Sequence, residues 1–238
     1  VEDKKIPILE LMSHPENLKF AFQPVIKTDD GTIYGYEALM RPEPYTPMEV
    51  ITEYARLNRL NFIEEITTYY GAKQFLENGL EGKLFLNSFP AAYISDEMME
   101  KIHELVQSRL KEKLVLEILE YTEFSEKAHN RKTLHFKQSK TGEEIAIDDY
   151  GCGKNKDEDC IDFYKPDIVK IDYKIIHNID SDLANQKKLL DICTYLEKKG
   201  IKILAEGVET KEEYEYLKNY PVKLMQGWYF GKPRIFSK

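Results

Sequence analysis

Seven short apolar runs recur along this chain, each closing on a carboxylate, an amide or an amine, with helical stretches between them. The runs span residues 33–36, 83–86, 114–116, 145–147, 168–169, 201–205 and 224–225. The groups that close them are Glu37, Asn87, Glu117, the pair Asp148 and Asp149, Lys170, Glu206 and Gln226. Short apolar runs alternating with helices read as strands of a parallel sheet. When such a sheet closes into a barrel, the C-terminal ends of its strands meet at one rim, where barrel sites are built. So many carboxylates cannot be buried together unless cations neutralise them. The pattern therefore predicts a metal site at the mouth of a barrel.

The rest of the chain fits that architecture. Its 238 residues suit one barrel domain of this type, so residues 1–238 are taken as a single unit. Residues 1–18 read as a lead-in helix with Ile8, Leu9 and Leu11 on its apolar side. A first strand spans 20–26, and the Asp30-Gly31 step after it is a hairpin signal. The first strand should therefore run antiparallel to the second. Helical periodicity follows over 47–60, 61–78, 93–111, 122–140, 157–164, 182–199 and 211–219. Gly79, Gly142 and Gly200 stand where helix C-caps favour glycine. The expected fold is α/β, a (βα)8 TIM-like barrel with an antiparallel first strand.

Strand parity tests whether the polar groups converge, because residues two apart share a face. Glu37, Leu39 and Arg41 share one face of the second strand. Glu117 shares its face with Val115, and Asp148 with Ala146. Asp149 has the opposite parity and reaches the rim only if the chain leaves the sheet near Gly151 and Gly153. Lys202 shares parity with Glu206 and must extend out of the barrel's bottom.

The donor set points to particular ions. A strand-end Asp is often a turn former or helix cap, but joined with Glu37, Asn87, Glu117 and Glu206 the Asp148-Asp149 pair reads as ligands. Oxygen-only donors favour Mg2+ or Mn2+ over zinc. None of the five histidines, His14, His103, His129, His135 and His177, ends a strand or pairs at metal spacing. Cys152, Cys160 and Cys193 form no disulfide pattern, which predicts a reducing, cytoplasmic setting. The net charge of −8 disfavours a nucleic-acid polymer as partner, so an anionic substrate needs local cations, from metals, Arg41 or Lys170. The guanidinium of Arg41 matches phosphate geometry, and its parity with Glu37 favours that role over a surface salt bridge. Lys170 could instead pair with Asp172. No run is long enough to span a membrane. The start at Val1 rather than Met predicts a domain cut from a longer chain.

The motifs occur in the order of a known family. Tyr36-Glu37-Ala38-Leu39-Met40-Arg41 follows Gln23-Pro24 and the hairpin. Leu86-Asn87-Ser88-Phe89-Pro90, Leu116-Glu117-Ile118-Leu119-Glu120 and Ile147-Asp148-Asp149-Tyr150-Gly151-Cys152-Gly153 come next. Val169-Lys170-Ile171-Asp172, Ala205-Glu206-Gly207-Val208-Glu209-Thr210 and Gln226-Gly227-Trp228-Tyr229-Phe230 complete the set. From about residue 20 to 233 the chain resembles the EAL domain, the family of cyclic di-GMP phosphodiesterases. It departs where Lys154-Asn155-Lys156-Asp157-Glu158-Asp159 replaces an aromatic-Ser-Ser segment that in the family leads into a helix of dimer contact.

That resemblance implies hydrolysis of cyclic di-GMP to linear 5′-pGpG with two Mg2+ or Mn2+ ions. By the same resemblance, Glu37, Asn87, Glu117 and Asp148 hold the first ion, and Asp148 and Asp149 the second. Lys170 and Gln226 position the water, and Glu206 is the candidate base. Gln23, Leu39 and Arg41 hold substrate, while Glu120 and Glu209 hold the loop after the fifth strand. A homodimer and a regulatory domain in the full-length protein are implied partners. The other reading is a catalytically weak EAL domain that acts as a cyclic di-GMP receptor or interaction module.

Overall fold

Eight strands close into a barrel in sequence order. They are β1 (Lys19–Lys27), β2 (Ile33–Arg41), β3 (Lys83–Ser88), β4 (Leu114–Ile118), β5 (Glu144–Tyr150), β6 (Ile168–Ile171), β7 (Lys202–Ala205) and β8 (Val222–Gln226). β1 runs antiparallel to both of its neighbours, β2 and β8, and the other pairs are parallel. The expected antiparallel first strand is thus present. The computed structural model describes residues 7–110, 113–119, 144–151 and 158–236. The predicted helix over 122–140, Gly142, Glu120, Cys152 and the charged run at 154–157 lie outside these residues.

Among the described residues the helices are α1 (Ile8–Leu11), α2 (Pro47–Arg56), α3 (Leu60–Glu77), α4 (Asp96–Arg109), α5 (Glu158–Tyr164), α6 (Tyr173–Ile176), α7 (Leu183–Lys199) and α8 (Lys211–Leu217). No described helix is long and apolar enough to cross a membrane. Over its described part, 7–18, the lead-in is not one continuous helix: α1 is one turn, and a 3-10 turn follows at Pro15–Asn17. Leu9 points outward at 45 % exposure, and Met12, 1 % exposed, takes the inward position instead. The break between α2 and α3 falls at Asn58, whose left-handed φ of 54° ends the first helix. α6 was not expected from periodicity. It starts because the Asp172 side chain accepts from the Lys174 amide at 2.7 Å, an N-cap that satisfies a free helix donor.

Side chains fill the barrel in two stacked layers. Val25, Phe85, Val115, Ala146, Ile168, Leu204 and Leu224 form a buried apolar layer, packed against Tyr34. Fully burying each of the larger ones contributes about 1.5–3 kcal/mol. β2 offers Gly35 at this level, and a Cβ there would sit 2.2 Å from the Lys83 carbonyl oxygen. Two residues further toward the mouth, parity brings up one polar side chain from every strand. These are Gln23, Glu37, Asn87, Glu117, Asp148, Lys170, Glu206 and Gln226. The apolar layer thus acts as a plug that holds the polar layer level.

Two residues the other way lies the barrel's floor. There Lys202 does not simply reach for solvent: its Nζ lies 2.7 Å from Glu144 Oε1. Tyr34 donates to the same carboxylate at 2.9 Å, and Lys83 lies 3.5 Å away. The parity conflict at Lys202 is resolved by a partner on β5.

Candidate metal centre

Lys170 organises the polar layer. Its ammonium is 1 % exposed and lies 2.7 Å from Asp148 Oδ1 and 2.8 Å from both Glu117 Oε1 and Glu206 Oε1. Glu37 Oε2 is 4.0 Å away. One cation therefore faces carboxylates from β2, β4, β5 and the end of β7. Asp172, the alternative partner, is the N-cap of α6 and faces Lys174 instead.

Amides complete the ring. Gln226 Nε2 donates to Glu37 Oε2 at 2.7 Å and to Gln23 Oε1 at 3.3 Å. Asn87 Nδ2 donates to Glu37 Oε1 at 3.3 Å. Glu37 is thereby held from both sides. Leu39 and Arg41 lie higher on β2 and line a cavity of about 260 Å3 with Asn87 and Asp149. Arg41 Nη1 donates to the Met40 carbonyl at 3.0 Å.

Asp149 joins the site by a route different from the one parity suggested. β5 does not end at Asp148 but continues to Tyr150, which pairs with Ile171. The register slips between Ile147 and Tyr150, and Asp149 takes a left-handed φ of 51°. This is a bulge, which re-aims a side chain within a strand. Its effect is to bring oxygens of Asp148, Asp149 and Glu206 within 4.8 Å of one another.

Among the described residues, the buried acids of the cluster outnumber its ammonium. Burial, reinforced by the charge of Glu37, holds the Glu117 carboxyl well above the usual range, with Lys170 pulling it back. Burial does the same for Glu206, again against Lys170. Burial alone would lower the Lys170 ammonium, but the charges of Asp148, Glu117, Glu206 and Glu37 together hold it well above its ordinary value.

Two buried oxygens bear on whether the residues fit divalent ions. Glu117 is fully buried. Its Oε1 lies 2.8 Å from the ammonium, and its Oε2 has no hydrogen-bond partner among the described residues. Gln226 Oε1 is likewise buried without a partner. Buried polar atoms are nearly always satisfied. An oxygen-rich pocket with unsatisfied carboxylate and amide oxygens and, among the described residues, a single ammonium fits hard divalent cations. No described histidine belongs to the group. His14 and His177 are exposed side chains beside Glu16 and Glu213.

Several contributors carried no assigned role in the sequence reading. Tyr173, Gly207 and Trp228 line a cavity of about 490 Å3 above Glu37, Glu206 and Gln226. Trp228 is 56 % exposed there. Gly227 allows the β8 loop to close on this cavity: a Cβ would lie 2.0 Å from the Val208 carbonyl oxygen. Two buried carboxylates brace the loops beneath. Glu64 accepts from Ser88 Oγ and the Phe89 amide, each at 2.8 Å, just after Asn87. Glu213 accepts from the amides of Asn178, Glu209 and Thr210. Thr210 and Glu213 form a capping box at the start of α8, a spacing legible in the sequence. Glu64 sits mid-helix and gives no such signal. Glu209 also lines the mouth, but the loop it was expected to hold lies outside the described residues.

A family model for the EAL domain matches residues 8–233. The chain belongs to the EAL domain family. A probable cyclic di-GMP phosphodiesterase of Escherichia coli (strain K12), PdeG, is 27 % identical to this EAL chain over 232 residues, covering 89 % of it and 44 % of PdeG. The chain thus spans under half the length of that relative. A standalone EAL protein from Vibrio cholerae O395, solved in its c-di-GMP-bound form, aligns with TM-score 0.77 and 27 % identity, over 92 % of this chain and 93 % of that one. Klebsiella pneumoniae BlrP1, in a manganese and c-di-GMP complex, shares the fold at TM-score 0.76 and 23 % identity, over 92 % and 56 % of the two chains.

Proposed function

We propose that this EAL domain hydrolyses one phosphodiester bond of cyclic di-GMP to give linear 5′-pGpG. The observation that carries the reading is the polar layer itself: carboxylates converging from four strands, with an unsatisfied buried oxygen on Glu117 and one ammonium among them. In this reading Glu37, Asn87, Glu117 and Asp148 hold one Mg2+ or Mn2+ ion, and Asp148 and Asp149 a second. When bound, such a pair lowers the pKa of water and neutralises charge on the phosphoryl oxygens.

The remaining roles belong to the chain's own groups. Lys170, fixed by three carboxylates, orients the attacking water and offsets the cluster's negative charge. Gln226 fixes Glu37 through its amide nitrogen and offers its unpartnered Oε1 to accept from an O–H of that water. Glu206, 2.8 Å from the ammonium, takes the water's proton as attack on phosphorus breaks the bond to the 3′-oxygen, which leaves with the bonding pair and takes up a proton from solvent to become the 3′-hydroxyl. Gln23, Leu39 and Arg41 seat the substrate, with the guanidinium on a phosphate. A domain of this kind lowers the level of a second messenger, as one module of a longer, dimeric, cytoplasmic protein.

The test is chromatographic product analysis with cyclic di-GMP and Mn2+ or Mg2+. Linear dinucleotide should accumulate with either ion, disappear with EDTA, and form poorly with Ca2+, whose looser and larger coordination suits in-line chemistry less. Binding without turnover under all three ions would overturn the enzyme reading in favour of a receptor.

A further inference from the structure

The barrel's two ends carry opposite charge. Beneath the apolar layer, strand parity places Lys27, Lys83, Lys113 and Lys202 against a single carboxylate, Glu144. Under this floor opens a cavity of about 650 Å3, lined by Lys27, Lys202, Lys218 and Lys223, with Asp29 as the one acid among its described lining residues. That volume is typical of small-molecule sites. Four lysines around one hollow are a local exception in a chain of net charge −8.

The lysines are not all neutralised. Lys202 pairs with Glu144 and Lys218 with Glu215. Lys27 and Lys223 have no ion pair within 4.0 Å among the described residues, and they lie on adjacent strands, joined where the Thr28 amide donates to the Lys223 carbonyl. The Thr28 hydroxyl, on the same wall, is buried with no hydrogen-bond partner. Tyr34 and Tyr220 supply ring surface to the cavity. Ammonium groups suit phosphate oxygens, and tyrosine rings suit a flat apolar body.

We propose that this floor cavity is a second ligand site, separate from the mouth, that takes a nucleoside phosphate. The phosphates lie against Lys27 and Lys223, and the base lies against the tyrosines. The apolar layer stands between this ligand and the polar layer above, so the two sites fill independently.

Titration calorimetry in metal-free, low-salt buffer, with inorganic pyrophosphate, ADP and adenosine as probes, tests the assignment on the full chain. Pyrophosphate and ADP should bind the parent, with adenosine at least about 10-fold weaker, and added salt should weaken both anions. Lys27→Glu/Lys223→Glu should lower both anion affinities at least about 10-fold, while turnover of cyclic di-GMP stays at the parent value. If that variant fails to fold, Lys27→Gln/Lys223→Gln should show the same direction of change. No heat from either anion at millimolar concentration would overturn the proposal. So would affinities unchanged by the substitutions, which would place the anions elsewhere.

Discussion

Replacing Lys170 by methionine deletes one charge and keeps a buried stem of similar length. In the parent, the ammonium faces three carboxylate oxygens at 2.7–2.8 Å. At an effective dielectric constant of ~20, each such pair contributes about 6 kcal/mol of Coulomb attraction, roughly 18 kcal/mol gross. Most of this offsets the desolvation of four charges and the mutual repulsion of the acids. The net loss on removing one member of a buried ionic cluster is about 3–5 kcal/mol. Metal-free Lys170→Met should therefore unfold in urea with a free energy lower by that amount and yet remain folded. Divalent cation should then stabilise the variant more than the parent. At 100 times its Kd, Mn2+ adds about 2.7 kcal/mol to any protein that binds it only when folded. The variant should reach this at lower Mn2+, because the acids have lost their internal counter-charge. Turnover should nonetheless fall at least ~100-fold, since stability and water orientation depend on the same group in different ways. Equal metal-free stability of variant and parent would refute the reasoning. So would an equal Mn2+ response.

Glu37→Ala removes the acceptor of both Gln226 and Asn87 and should lower kcat at least ~100-fold, about 3 kcal/mol of transition-state stabilisation, in the product assay. Arg41→Ala should raise KM more than it lowers kcat, because a phosphate grip acts in ground and transition states alike; steady-state kinetics decide it. At the floor, Glu144→Gln leaves Lys202 and Lys83 without their acid and should cost about 1–3 kcal/mol. Burial alone would raise the Glu144 carboxyl, but the Lys202 hydrogen bond and the charge of Lys83 outweigh it and hold the group below the usual range. Its contribution is then fully present above the unfolded value of about 4.3 and lost as pH falls through the lower folded value. Urea melts of parent and Glu144→Gln should therefore differ at pH 7 and converge only in acid, below the lowered folded value.

Barrel order, the antiparallel start and the convergence of the polar groups were legible in the sequence because they rest on periodicity. A strand with side-chain period two must present Glu117 beside Val115 and Lys170 beside Ile168, whatever the loops do. Helix ends were less legible, since they depend on single residues. Asn58 in a left-handed conformation and Asp172 as a cap moved or created boundaries that apolar spacing does not encode. The braces were legible in part. Glu213 announced itself through the Thr210 capping box, whereas Glu64 binds the loop after Asn87 through tertiary contact alone.

Asp149 shows where periodicity fails and what replaces it. By parity its side chain belongs on the outer face, beside the helices, where a carboxylate would be buried among apolar groups. The β5 bulge turns it inward instead, at the cost of a non-glycine residue at φ 51°. Asp is among the few residues that tolerate this region, so the local cost is small, and the tertiary result is large: three oxygens from Asp148, Asp149 and Glu206 within 4.8 Å. Glycine would serve the backbone better at this position. A carboxylate there brings the backbone no advantage, whereas it adds negative charge to a cluster that already exceeds its one cation. Two adjacent acids on a bulge, set against both parity and repulsion, are the arrangement that the proposed pair of divalent cations would require. The backbone irregularity and the charge excess therefore point to the same site.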